Sequence, residues 1–159
     1  MRQSHNRHAS QFIQSMRTPL RRTSFDPTRR LSEPHDWSNE QRNELSSRVT
    51  YVGSGHHKRC PANYGLDRTN PRRTATICDG ERIFKLEEAR ALLASGIEKG
   101  MVSTALAAEG MPKYIWSVSD EGQAFEAKTS ASTPWKYHGY PLDENDPLRE
   151  RVLKAWEER

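Results

Sequence analysis

Five side chains in this sequence have the chemistry of proton transfer and charge stabilisation: His57, Lys58, Glu126, His138 and Tyr140. Cleaving a phosphodiester through its own 2′-hydroxyl needs a base to take that proton, an acid for the leaving oxygen and a cation beside the equatorial oxygens. Histidine, glutamate, tyrosine and lysine fill those roles without a metal. His57 and Lys58 follow a Gly53-Ser54-Gly55 turn at a strand end, where loops commonly carry function. His138 and Tyr140 alternate with Tyr137 and so share one face of a strand, while Glu126 belongs to the strand before it. Each of these residues also has a purely structural use, as a cross-strand hydrogen-bond partner or an edge aromatic.

A second group suits binding. Lys58, Arg59, Arg68, Arg72 and Arg73 crowd one loop in which Asp67 is the opposing acid, and Tyr64 sits among them. Cations for phosphates plus an aromatic ring for a base describe a nucleic-acid surface, and a solvated basic loop has the same composition. His57, Cys60 and Cys78 are chemically able to hold zinc, but no Cys-x-x-Cys pair is present and the two thiols stand far apart. Two inert cysteines are the simpler reading, with no metal and no cofactor.

The elements that must position these groups follow from periodicity. Ser38 with Gln41 three residues on makes a capping box that predicts a helix to about Ser47. Residues 48–54 alternate as a first strand, and 61–78 read as a long irregular loop. Leu86, Ala89, Leu92, Leu93 and Ile97 recur at helical spacing, with Glu87 and Glu88 at the start and Lys99-Gly100 at the end. Residues 113–119 and 123–128 alternate as strands around a turn at Asp120-Glu121-Gly122, and a loop of Thr, Ser and Ala leads to a third run over 135–142. Asp146 and Pro147 open a last helix lined by Leu148, Val152 and Trp156. This order predicts an α+β domain over residues 37–159: a small antiparallel sheet of about four strands with helices on one face. Residues 1–36, with seven arginines and three prolines, predict a disordered N-terminal tail.

The 159 residues suffice for one domain, and 33% of them are hydrophobic. Residues 1–78 hold 14 Lys+Arg against 6 Asp+Glu, and residues 79–159 hold 11 against 15. A basic leading half points to a polyanion partner, RNA or other nucleic acid before membrane. Two cysteines make no disulfide framework and no apolar run is long enough for a span, so a cytoplasmic setting is the expectation.

Val49-Thr50-Tyr51-Val52-Gly53-Ser54 with His57-Lys58, Lys113-Tyr114-Ile115-Trp116, Glu126-Ala127 and Tyr137-His138-Gly139-Tyr140-Pro141-Leu142 together resemble a family of small uncharacterised bacterial proteins. The helix-then-sheet order also resembles the barnase, EndoU, colicin and RelE group of ribonuclease toxins. That resemblance implies RNA cleavage by His, Lys, Arg and Tyr side chains, and with it a cognate protein inhibitor. Residues and resemblance together lead to the expectation of a metal-independent endoribonuclease acting as a toxin or defence effector. Its alternative is a non-enzymatic module that docks on nucleic acid or protein through its basic tail and loop. The catalytic form requires the loop after Gly55 to fold over the face bearing His138, bringing Lys58 or Arg59 beside Tyr140.

Overall fold

The computed structural model describes residues 26–55, 58, 60–67 and 85–159. Residues 1–25, His57, Arg59, Arg68, Arg72, Arg73 and Cys78 lie outside the described residues, so the expectations placed on them are not addressed by the structure.

Helix α1 (Asn39–Arg48) begins where the capping box places it: the Ser38 hydroxyl accepts the Gln41 N–H at 3.3 Å, and the Gln41 side chain accepts the Ser38 N–H at 2.8 Å. Strand β1 (Thr50–Tyr51) is shorter than its alternation suggests and is followed by a 3-10 turn over Pro61–Tyr64. Helix α2 (Leu86–Glu98) buries Ala89, Leu93, Gly96 and Ile97 along one side. Gly96 is needed there because a Cβ would stand 2.3 Å from the Trp116 carbonyl oxygen, so the helix backbone rests directly on the sheet.

Strands β2 (Tyr114–Val118), β3 (Ala124–Ser130) and β4 (Thr133–Pro141) form an antiparallel meander, and β1 joins β4 in parallel, giving the order β1-β4-β3-β2. The turn at Asp120-Glu121-Gly122 is as read, with Gly122 at φ 78°. The Thr, Ser and Ala segment differs from the expected loop. Ser130 pairs with Thr133, and the Thr129 hydroxyl donates to the Thr133 carbonyl at 2.7 Å, so hydroxyl groups fold it into a tight turn. Helix α3 (Arg149–Glu158) ends the chain, with the Asp146 carboxylate accepting the Leu148 N–H at 2.9 Å just before it.

The α+β class and the four strands agree with the sequence; the mixed sheet is covered on both faces. One core joins Tyr51, Ile115, Ala127 and Tyr137 to Leu45, Ala89, Leu93 and Ile97 of α1 and α2. The other joins Tyr114, Trp116, Val118, Ala124 and Leu142 to Leu148 and Val152 beside α3. The reason lies in β2, whose five residues are all buried, so apolar side chains leave it in both directions and each face needs a cover.

Residues 26–36, counted with the tail on composition, lie against this domain. Leu31 bridges Ser103, the Ser32 N–H donates to the Val102 carbonyl at 2.9 Å, and Val102 in turn bridges Ile115 of β2. The arginine count made this stretch read as unpackable, yet Arg29 is 5% exposed because two carboxylates neutralise it. Among the described residues no helix is long and apolar enough to cross a membrane.

Two outcomes test this packing. Gly96→Ala should lower unfolding free energy in urea by about 1–3 kcal/mol through overpacking, and an unchanged midpoint would show that α2 does not rest on β2 as described. Tyr137 is buried, and burial raises its phenol above the ordinary tyrosine range, with its hydroxyl donating to the Pro112 carbonyl. A raised folded-state pKa means that this contribution is intact below the unfolded value of about 10 and is lost as pH rises beyond it. Tyr137→Phe should therefore lose less stability above that pH than the parent; parallel losses would refute the assignment.

Candidate functional site

Register brings three of the five nominated catalytic residues to one face. Trp116, Glu126 and Tyr140 are directly opposed across β2, β3 and β4, and the next row holds Tyr114, Lys128 and His138. Alternation along each strand puts both rows on the same side, the side that α3 and residues 26–32 cover. His138 and Tyr140 are half-buried there, and the Lys128 ammonium stands 5.7 Å from the centre of the Tyr140 ring.

Glu126 has no exposed surface. Its carboxylate accepts the Arg29 Nε–H at 2.7 Å, the Trp116 indole N–H at 3.0 Å and the Tyr140 hydroxyl. Arg29 continues to Asp146, with its Nη2 2.8 Å from Oδ2 and its Nη1 3.3 Å from Oδ1. Burial alone would lower the Arg29 pKa, but Asp146 and Glu126 outweigh it and hold the guanidinium above its ordinary value. A general base must reach the hydroxyl that it deprotonates. A carboxylate enclosed by an arginine, an indole and a phenol instead fixes the positions of its donors.

Lys58 is elsewhere. β1 does pair with the strand that carries His138, as the catalytic reading requires, but the parallel register points Tyr51 to the same side as Tyr137, and Lys58 follows Tyr51. The Lys58 ammonium donates to the Tyr51 hydroxyl at 3.4 Å and lies 4.1 Å from the centre of the Tyr64 ring. The same hydroxyl accepts the Gly139 N–H at 3.3 Å, so Tyr51 ties this lysine to β4. Lys58 is 3% exposed and Tyr64 4%. Tyr64, nominated as a platform for a base, has its ring under a lysine instead. The sheet therefore separates Lys58 from Glu126, His138 and Tyr140. Cys60 is half-buried, and among the described residues no group of three His, Cys, Asp or Glu side chains could hold a metal ion.

Arg29, Asp146 and the Trp116 indole escaped the sequence reading as partners of Glu126. The one available signal was Glu126 itself, a carboxylate in the middle of a strand flanked by Phe125 and Ala127, which requires a buried cation from somewhere in the chain. No family model, no curated protein and no solved structure matches the chain.

Removing one member of a buried ion pair leaves the other charge uncompensated, at a cost of about 3–5 kcal/mol. Arg29→Met should lose about that much in urea unfolding, and adding Glu126→Gln should recover part of it. A double variant no more stable than the additive expectation would show that the two groups do not interact.

Proposed function

We propose that the domain binds nucleic acid, with RNA as the first candidate, and does so without cleaving it. The observation that carries this reading is the basic surplus of the first 78 positions, 14 Lys+Arg against 6 Asp+Glu, to which residues 1–25 contribute five arginines and no acid. A run of cations with no opposing acid suits the backbone of a polyanion, whose phosphates it neutralises. Lys58, enclosed by Tyr51 and Tyr64 with 3% of its surface exposed, is a structural cation and is not counted among the phosphate contacts.

Metal-independent cleavage, the toxin role and a cognate protein inhibitor form the second reading, favoured by His138 and Tyr140 sharing a face with Glu126. Two features weigh against it: Glu126 is enclosed, and Lys58 belongs to the opposite face.

Anisotropy of a labelled single-stranded RNA at several salt concentrations separates the two. Binding should weaken with salt, and deleting residues 1–25, with their five arginines, should reduce the slope of log K on log salt by up to about 3.5, at about 0.7 for each phosphate contact. Deletion of the basic tail should stop at residue 25, because a cut at 36 also removes Arg29 from the core. No RNA binding at low salt would end the proposal. Cleavage in EDTA that is lost in His138→Ala would replace it with the ribonuclease.

A further inference from the structure

A groove with a volume of about 1050 Å³ runs between α1, the end of α2 and the end of α3, away from the sheet. Three cations from three elements meet in it: Arg42 of α1, Lys99 after α2 and Arg159 after α3. Among the described residues none of them makes a close ion pair with a carboxylate, whereas Arg29, Arg48 and Arg149 do so at 2.7–3.8 Å.

Their remaining contacts fix them in place. The Arg159 guanidinium donates to the Gly100 and Ser32 carbonyls, and the Lys99 ammonium donates to the Trp156 carbonyl at 3.2 Å while lying 5.0 Å from its ring centre. Arg42 donates to the Asn39 side chain one turn earlier. Arg42 Nη1 and Arg159 Nη1 end 3.2 and 3.8 Å from the same point, where a side chain on Gly100 would begin.

Cations at the end of α2 are favourable against the helix dipole. That requirement is met by Arg159, already bonded to the Gly100 carbonyl, and by Lys99. A second guanidinium beside the first adds like-charge repulsion. Burial lowers the Arg159 pKa, Glu33, Asp36 and Glu158 oppose that as nearby carboxylates, and Arg42 lowers it as a like charge. Glu98 and Glu158 also border the groove, both exposed, and Glu158 lies 3.8 Å from Lys154. An anion between the two guanidinium groups would remove the repulsion, and guanidinium donors match phosphate oxygens two at a time.

We propose that this groove is a binding site for a phosphate group, with Arg42 and Arg159 as its paired donors and Lys99 as its third cation. Asn43, Ser46 and Ser95 add neutral hydrogen-bonding groups along its walls. The phosphate belongs either to a small phosphorylated molecule or to a nucleic-acid backbone, and the site stands apart from the Lys58 cluster.

Two-dimensional amide and side-chain NMR on the whole chain, titrated separately with inorganic pyrophosphate and with a short single-stranded RNA, tests it. Either titrant should shift the Arg42, Lys99 and Arg159 side chains and the Trp156 indole. Arg42→Gln should weaken that binding about tenfold or more while the thermal midpoint stays near the parent value. Lys99→Gln serves as the second variant if Arg42→Gln folds poorly. Response to pyrophosphate assigns a small phosphorylated ligand, and response to RNA alone assigns the backbone. If neither titrant shifts these residues, or both variants bind as the parent does, the proposal is overturned. RNA binding weakened by deletion of residues 1–25 but not by Arg42→Gln, with no response to pyrophosphate, would end the groove site and leave the nucleic-acid reading standing.

Discussion

The structure depends on neutralising one carboxylate in the middle of its sheet. Glu126 projects from β3 into a region with no exposed surface, and a lone charge there would cost several kcal/mol. Arg29, 97 residues earlier in the chain, supplies the countercharge. The same guanidinium takes Asp146 before α3, while Trp116 and Tyr140 bring β2 and β4 to the other lone pairs. Two outer elements and two flanking strands are thus registered on one side chain. A hydrophobic residue at position 126 would pack without specifying any of them, so what the ion pair contributes is the placement of residues 26–32 and α3 on this face.

Strand periodicity then decides what the molecule can do chemically. Side chains along a strand alternate, so a sheet sorts its residues into two sets that meet only around its edges. His138, Tyr140 and Lys128 fall on the face governed by Glu126, and Lys58 falls with Tyr51 and Tyr64 on the other. The two clusters have separate supports and separate surroundings. That separation turns a plausible list of acid–base residues into one buried network around Glu126 and one buried cation on the opposite face.

Features encoded by neighbouring residues were legible. The Ser38 capping box, the amphipathic face of α2, the Gly122 turn and the shared face of His138 and Tyr140 all rest on contacts a few residues apart, where spacing carries the information. Long-range pairing was not legible. β1 contributes two residues and joins in parallel, a register that nothing in its own sequence specifies. Arg29 resembles its tail neighbours in composition, and only a partner 97 residues away distinguishes it. The hydroxyl-lined turn at Ala131-Ser132 was hidden for a different reason: a run of Ser, Thr and Ala is equally good loop and equally good turn, and the Thr129 bond to Thr133 decides between them.

Helix α1 is the remaining anomaly, since its one buried residue is Leu45. A helix this polar gains little from burying a face and must be held by its ends and its surroundings. The capping box secures its start, and Arg48 in its last turn suits the helix dipole. Its other ordered side is the stripe of Asn39, Arg42, Asn43 and Ser46, spaced as the apolar residues of a core-facing helix would be. Here that spacing aims amides, a guanidinium and a hydroxyl at the groove above Gly100. Asn39, Asn43 and Ser46 are exposed, so water alone accounts for their polarity. The half-buried Arg42 is different: it stands beside Arg159 above Gly100, two guanidinium groups converging where an anion would bridge them.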